Sequence, residues 1–318
     1  MIAAERYNLK GIVSCTSYSS GKIKDCRLEE YNEIIVGGQN FIPRYKKPDE
    51  RKKDTKAVTF YENGNVKSIA LEEPAEISTS AGIIKAELIT FYEDGSIDSL
   101  FPLNGQIGFG WSEEDEEQLL DELDFDFPFA SFKTKIIGLR FHNSGSLKSL
   151  ILWPKKRIEI NSPIGIYPVR IGFRLYENGA LESFEPAVPI SVDSSIGTII
   201  AFDQHALGMD ADFNSVRLYP DGKLKSVSTN SDIVANRISA SGRKLIYQQL
   251  RLDMVSGEMV KVPVIISFKG ENVTLDNAAE KLTLPINDWK FMFLHDGSYM
   301  EKKCSPGSDC SGCGASCM

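Results

Sequence analysis

The segment Tyr61-Glu62-Asn63-Gly64-Asn65-Val66-Lys67-Ser68 decides the fold that the sequence predicts. Asn-Gly between β-rich runs is a strong signal for a β-hairpin, because the turn needs residues that tolerate positive φ. The same pattern recurs along the chain, with Tyr or His three places before a glycine and an apolar residue two places after it. Six copies align without gaps, and their glycines are Gly21, Gly64, Gly95, Gly145, Gly179 and Gly222.

Two further features define the repeat. Serine stands four places after the glycine in five copies, and Asp25 replaces it in the first. The connections share a second signature, an apolar residue followed by a short polar stretch and then glycine, as in Ile77 to Gly82 and Ile160 to Gly165. We interpret this signature as a second turn per unit. Weaker copies of the first turn are expected at Ser256-Gly257 and at Asp296-Gly297.

These patterns predict an all-β protein, an elongated antiparallel β-hairpin repeat array with one short insertion helix. The array occupies residues 1–300, the acidic helical insertion lies at 111–124, and a cysteine-rich tail follows at 301–318. The turn glycines are 31 to 50 residues apart, which is too irregular for the even rungs of a solenoid. Because an isolated hairpin is marginally stable in water, neighbouring hairpins must stack to share a core.

The Tyr-x-x-Gly-x-apolar-x-Ser hairpins resemble the MORN-like repeats of a family of presumed bacterial antitoxins. The resemblance covers most of residues 10–300. It implies an extended antiparallel sheet that is used for contact with another protein, and it transfers no catalytic residues to this chain. Its units differ from those of the family in being longer and irregular, and they lack a second glycine after the turn.

Composition limits the partners. The chain has a formal net charge of -8 and a pI near 5.2, which disfavours general binding to the phosphate backbone of nucleic acid. No stretch approaches the roughly 20 apolar residues of a membrane span, and Met1 to Gly11 lacks the apolar core of a signal peptide. We therefore expect a cytoplasmic protein with a protein partner, and neither nucleic acid nor a membrane as its target.

One helix is expected, at Ser112 to Leu123, between the third and fourth repeats. Ser112 and Asp115 form a capping-box-like pair, and the early carboxylates suit the positive end of the helix dipole. Leu119, Leu120 and Leu123 would dock the helix on the sheet. The alternatives are a solvated insertion and an acidic docking surface, the latter favoured by Phe125, Phe127 and Phe129 just behind it.

The tail is chemically distinct, since four of the six cysteines fall within its last fourteen residues before Met318: Cys304, Cys310, Cys313 and Cys317. Four thiolates are the full ligand set of a tetrahedral zinc site or of an iron-sulfur cluster. The spacing predicts a site for zinc or an iron-sulfur cluster. Dithiol or disulfide chemistry and a disordered tail remain the alternatives.

The other two cysteines, Cys15 and Cys26, occupy positions that are apolar in the other five copies. With a two-residue turn at Ser20-Gly21 they would face each other across the ladder, and we expect both to be buried core residues.

No catalytic motif is present. The histidines His142, His205 and His295 are scattered, and no phosphate-binding loop, metalloprotease or serine-elbow spacing occurs. The best polar cluster is Asp203, His205, Asp210 and Asp212, whose oxygen and imidazole groups could bind a cation if the loop folded back on itself. The same cluster is also typical of an ordinary polar loop between strands. The sequence thus predicts a non-catalytic repeat scaffold for protein-protein interaction. The alternative is a metal-binding or iron-sulfur accessory protein that acts through its tail.

Overall fold

The computed structural model of the chain describes residues 6–47, 51, 56–105, 112–206, 214–239, 241–253 and 257–295. Over these residues the protein is almost entirely antiparallel β-structure, as the sequence predicts, with one short α-helix. None of the described helices is long and apolar enough to cross a membrane.

The strands, in chain order, are β1 (Ile12–Ser17), β2 (Ile23–Leu28), β3 (Ile34–Val36), β4 (Gln39–Phe41), β5 (Val58–Phe60), β6 (Val66–Thr79), β7 (Gly82–Phe91), β8 (Ile97–Phe101), β9 (Leu123–Phe127), β10 (Ala130–Thr134), β11 (Ile136–Phe141), β12 (Leu147–Leu152), β13 (Ile158–Ser162), β14 (Gly165–Leu175), β15 (Leu181–Pro186), β16 (Ile190–Ser194), β17 (Gly197–Ala201), β18 (Val216–Leu218), β19 (Leu224–Thr229), β20 (Ser231–Arg237), β21 (Arg243–Ile246), β22 (Gln249–Leu252), β23 (Met259–Val262), β24 (Val264–Lys269), β25 (Asn272–Asp276), β26 (Lys281–Pro285) and β27 (Trp289–His295). Helix α1 is Glu113–Leu119, and Ile286–Asp288 form a 3-10 turn.

One main sheet joins the repeats in sequence order, β1-β2-β5-β6-β7-β8-β11-β12-β14-β15-β18-β19-β24-β25-β26, and β13 pairs with part of β14. At about 4.8 Å per strand, these fifteen strands extend over roughly 67 Å. The predicted elongated hairpin array is therefore confirmed.

The six turns share one geometry. The glycine amide donates to the carbonyl three residues earlier at 2.8–3.0 Å, and each glycine has a φ between +78° and +89°. A second bond runs from the amide of the Tyr or His to the carbonyl after the glycine, so the loop has three residues, not the two expected at Ser20-Gly21. A one-residue register shift follows in every copy and restores the predicted pairing of Cys15 with Cys26.

The turn tyrosines tie each repeat to the next. The hydroxyl of Tyr61 donates to the carbonyl of Phe91 at 2.7 Å, and that of Tyr176 donates to Leu218 at 2.8 Å. In the fourth copy His142 takes the place of tyrosine, and its Nε2 lies 3.1 Å from the Leu175 carbonyl oxygen. A carbonyl can only accept, so Nε2 carries the proton. His142 is thus a structural turn residue.

The two faces of the sheet differ because side chains alternate along each strand. One face carries an apolar row at the predicted core positions, one residue from each strand of a hairpin, such as Val58 with Ile69 and Phe173 with Phe184. From Cys26 through Leu275, the members of this row are almost completely buried. The apolar row is the centre of the core.

Small hairpins cover the apolar row. They are β3-β4, the outer part of β6-β7, β9-β10, β13 with the start of β14, β16-β17 and β20-β21, and we call them the cover hairpins. The ring of Phe41 lies 5.7 Å from that of Phe91, and Phe127 lies 5.3 Å from Phe173. Most cover hairpins contain the predicted second turn, as at Gly82, Gly165 and Gly197, all with positive φ. Each unit is therefore a sheet hairpin followed by a cover hairpin.

The predicted weaker copies need correction. Gly257 lies in the turn before β23, but β22 and β23 form a separate two-stranded sheet outside the array. The main sheet continues instead through β24 and β25 around Gly270, whose turn has no tyrosine. The copy expected at Asp296-Gly297 lies outside the described residues.

Candidate interaction surface

The face opposite the apolar row carries a continuous polar row, with one residue from every strand of the main sheet. Strand register places its members directly opposite one another from end to end. In sheet order they are Thr16, Asp25, Thr59, Ser68, Thr90, Ser99, Arg140, Ser149, Arg174, Ser183, Arg217, Ser226, Ser267, Thr274 and Thr283. The recurrent serine seen in the sequence is thus one half of a row that crosses the whole sheet.

Arginines alternate with serines in the central part of this row. Arg140, Arg174 and Arg217 stand on every second strand, which separates their backbones by about 9.6 Å. The serines between the arginines are buried, at 2–8% exposure, whereas the longer arginine side chains remain partly exposed. The centre of the row therefore presents evenly spaced positive charge.

The one-residue register shift after each turn is a β-bulge, and the extra residue at this bulge lies on the same face as the polar row. Asp98 shows this, since its carboxylate accepts from the hydroxyl of Thr90 at 2.9 Å, and Glu182 accepts from Arg174 at 2.7 Å. We call these residues and the charged members of the row the cationic strip: Lys24, Asp25, Lys67, Asp98, Arg140, Lys148, Arg174, Glu182, Arg217 and Lys225. Seven cations face three carboxylates, a net charge of +4 on a chain whose net charge is -8.

Aromatic rings and carboxylates border the cationic strip on its turn side. The Nζ atoms of Lys24, Lys67 and Lys225 lie 5.4–5.9 Å from the ring centroids of the tyrosines of their own turns. Beyond these rings, the turn loops carry acidic side chains, among them Glu62, Glu93, Glu177 and Asp221. The surface thus combines a cationic band, an aromatic edge and an acidic margin.

The predicted polar cluster is only partly within the described residues. The side chain of Asp203 accepts from the backbone amide of His205 at 2.9 Å, which is an ordinary loop contact. The backbone carbonyl of Asp203 accepts from Arg170, whose guanidinium also lies 3.4 Å from the carboxylate of Glu185. Asp210 and Asp212 lie outside the described residues. Asp203 therefore lies beside the buried ion pair of Arg170 and Glu185, which the sequence did not predict.

Glu185 is completely buried and accepts hydrogen bonds from the amide and hydroxyl of Ser215 at 2.7 and 3.0 Å. Burial raises the pKa of Glu185 from its ordinary 4.5 to about 7, although the bonds from Ser215 and the charge of Arg170 oppose the shift. The folded state thus binds this proton more tightly than the unfolded chain does.

Because the pKa of Glu185 is raised, its contribution to stability is complete below about pH 4.5 and is lost as pH rises to about 7. We expect Glu185→Gln to remove this loss, a difference of about 3 kcal/mol in the free energy of unfolding between pH 4.5 and 8. Urea unfolding across that range measures it, with the exposed Glu159→Gln as control. Parallel pH profiles for wild type and Glu185→Gln would contradict the assignment.

The cysteine predictions have different outcomes. Cys26 is buried at 1% exposure, as expected, but Cys15 is exposed because β1 is the end strand of the sheet and all its residues are accessible. The expectation that both are core residues is therefore wrong for Cys15. The tail cysteines Cys304, Cys310, Cys313 and Cys317 lie outside the described residues. Within the described part of the chain, no three His, Cys, Asp or Glu side chains group together to hold a metal ion.

Helix α1 has the predicted capping box between Ser112 and Asp115 but ends at Leu119, which is half exposed. Leu123 begins β9, so the expected leucine stripe does not form. The helix is anchored instead by Glu116, which pairs with Arg51 at 3.1 Å, while Arg51 also pairs with Glu87 of β7 at 2.8 Å.

The phenylalanines behind the helix are part of a cover hairpin. Phe125 is 5% exposed, and the rings of Phe127 and Phe129 pack edge-on against Phe173 at 5.3 and 5.2 Å. These rings therefore stabilise the core and do not support the idea of a docking surface at the helix.

A groove of about 320 Å³ lies between the tip of the β6-β7 hairpin and the turn of the fourth repeat. Its lining includes Ser78, Thr79, Ile97 and Phe141, and the hydroxyl of Ser80 donates across it to the Gly145 carbonyl at 2.9 Å. None of its lining side chains is an acid or a base, so it offers hydroxyls and apolar contact alone.

No protein-family model matches the chain, and no curated protein and no solved structure matches it either.

Proposed function

We propose that this protein is a non-catalytic repeat scaffold that binds another protein through the cationic strip. The observation that carries the proposal is the register of the polar row, which aligns Arg140, Arg174 and Arg217 on alternate strands of one face. The other face is occupied by the cover hairpins. A partner that offers carboxylates opposite the cationic strip would gain attraction and orientation from it.

A protein fits this surface better than a nucleic acid does. Carboxylates interrupt the cationic strip at Asp25, Asp98 and Glu182, and the acidic turn loops border it. A polyanion would meet these like charges, whereas a protein can place carboxylates over the cations and basic groups over the turns. The resemblance to MORN-like antitoxin repeats, which implies an extended sheet for protein contact, supports the same proposal. A cytoplasmic location remains part of it.

The test reverses charge on the cationic strip while sparing its arginines, which have structural contacts. We expect Lys67→Glu, Lys148→Glu and Lys225→Glu, combined in one variant, to weaken binding of the partner at least about tenfold, or about 1.4 kcal/mol, because three attractions become repulsions. The partner is identified by affinity capture with the wild-type chain, and its affinity for each variant is then measured by calorimetric titration.

The matched control reverses three exposed lysines on other strands, Lys133, Lys244 and Lys290, which gives the same change in total charge. This control variant should bind as the wild type does. Equal affinities for the strip variant and the wild type, or weaker binding by the control variant alone, would refute the cationic strip as the binding surface.

A second candidate function rests on the four cysteines of the tail. We propose that Cys304, Cys310, Cys313 and Cys317 bind one zinc ion or iron-sulfur cluster as thiolates, which would make the array a carrier for a metal site. The close spacing of these cysteines among Gly, Ser and Pro residues supports this proposal. It is compatible with the first candidate function, because the tail and the cationic strip are separate parts of the chain.

A further inference from the structure

Two thiols face each other across the end hairpin of the main sheet. Cys15 of β1 is directly opposite Cys26 of β2 in the strand register. The carbonyl of Cys26 accepts from the amide of Ala57 at 2.9 Å, so the hydrogen-bonding edge of Cys26 points away from β1. Cys15 and Cys26 therefore form a non-hydrogen-bonded pair, whose Cα atoms are about 4.5 Å apart in antiparallel sheets. That separation lies within the range of about 4.4–6.8 Å that a disulfide spans.

The two thiols differ sharply in accessibility. The equivalent pairs in the other five sheet hairpins are apolar and completely buried on both strands, as in Val58 with Ile69. Here Cys15 is exposed on the end strand and Cys26 is 1% exposed. Burial, with the nearby Cys15 and Asp25, raises the pKa of Cys26 to about 12, so its thiol stays protonated at neutral pH. Cys15 is thus the thiol that a reagent in solution reaches first.

We propose that Cys15 and Cys26 are a redox-active pair that a low-molecular-weight disulfide converts into a cross-strand disulfide. The thiolate of Cys15 attacks the small disulfide, forms a mixed disulfide and releases one small thiolate. Cys26 then gives its proton to that thiolate, and its sulfur attacks Sγ of Cys15 and releases the second half of the reagent as a thiol after protonation. The cysteine pair loses two electrons and two protons, and the small disulfide becomes two thiols.

The attack of Cys26 on the mixed disulfide at Cys15 is favoured, despite the high pKa of Cys26, because the two residues are paired across the hairpin. Strand pairing holds the two cysteines directly opposite each other, so the attack is intramolecular and proceeds at a high effective concentration. The new bond would tie β1 to the sheet, and among the described strands β1 pairs with β2 alone. Oxidation would therefore act as a lock on the end strand of the array.

The experiment equilibrates the full-length protein with oxidised and reduced glutathione, alkylates the remaining thiols and maps peptides by mass spectrometry. We expect a Cys15–Cys26 cross-linked peptide that is two hydrogens lighter than the reduced pair, and slower hydrogen exchange of the β1 amides in the oxidised protein. A second protein with serine at Cys304, Cys310, Cys313 and Cys317 shows whether the tail cysteines take part, and should give the same cross-link.

The matched control moves one thiol along the same face of β1 in the variant Cys15→Ser with Ser17→Cys. Residue 17 is exposed on the end strand, so the new thiol would be accessible to glutathione. Residue 17 pairs with Ile23, so the thiol would not be opposite Cys26. This variant should form the mixed disulfide with glutathione and little internal cross-link. A wild-type protein that stops at the mixed disulfide on Cys15, or a control variant that cross-links equally well, would overturn the proposal.

Discussion

Phe173→Ala is expected to cost about 4 kcal/mol of the free energy of unfolding. Phe173 is completely buried at the centre of the apolar row and is directly opposite Phe184. The rings of Phe127, Phe129 and Phe132 lie 5.2–6.4 Å from its ring. Removing the ring loses its transfer free energy and leaves a cavity between the main sheet and a cover hairpin. Urea unfolding followed by circular dichroism measures the change.

Ile166→Ala is the matched control, because Ile166 lies on the same strand, β14, but is 62% exposed. Its expected cost is below about 1 kcal/mol. If Phe173→Ala were no more destabilising than Ile166→Ala, the apolar row would not be the centre of the core.

Serine substitution of both Cys310 and Cys313 is expected to abolish metal binding by the tail. Two of four thiolate ligands would be lost, and the remaining two cannot complete a tetrahedral site. Unfolding of the β-array should be almost unchanged, because we expect the tail and the array to be separate units. Metal content by mass spectrometry and the visible absorption of protein purified without oxygen measure the site, and urea unfolding measures the array.

Cys15→Ser is the control for the loss of a cysteine elsewhere, and it should retain the wild-type metal content. Unaltered metal in the Cys310 and Cys313 double variant would refute the site. Absence of metal from the wild-type protein would also refute it, and would leave the binding scaffold as the surviving function.

The sheet hairpins could be predicted from the sequence because their turns are local. Each hairpin signal spans about a dozen residues. Within that span lie the glycine with positive φ, the apolar residue after it and the core pair, such as Leu139 with Leu150. The pairing of Cys15 with Cys26 followed from the same counting. The hairpin around Gly270 was missed because its turn lacks the tyrosine. This hairpin only receives such a bond, from the hydroxyl of Tyr219 to the carbonyl of Phe268.

The candidate site was only half predictable. The serine after each turn could be recognised in the sequence. Its partners Arg140, Arg174 and Arg217 stand before the turns, next to core residues. Their spacing in the sequence did not indicate that they form a row. The row depends on the pairing between repeats, which joins strands far apart in sequence. It also depends on the bulge within each hairpin, which shifts the register by one residue. Exposure of Cys15 likewise depends on β1 being the end strand.

Lysine footprinting of the complex tests the central claim, that the cationic strip is the binding surface, most directly. An amine-reactive acetylating reagent is applied to the free chain and to the chain saturated with its captured partner, and modification is quantified by mass spectrometry. We expect four lysines of the cationic strip to lose reactivity on binding: Lys24, Lys67, Lys148 and Lys225. The control lysines Lys133, Lys244 and Lys290 should keep theirs. Protection confined to the second group, with the cationic strip as reactive as in the free chain, would contradict it.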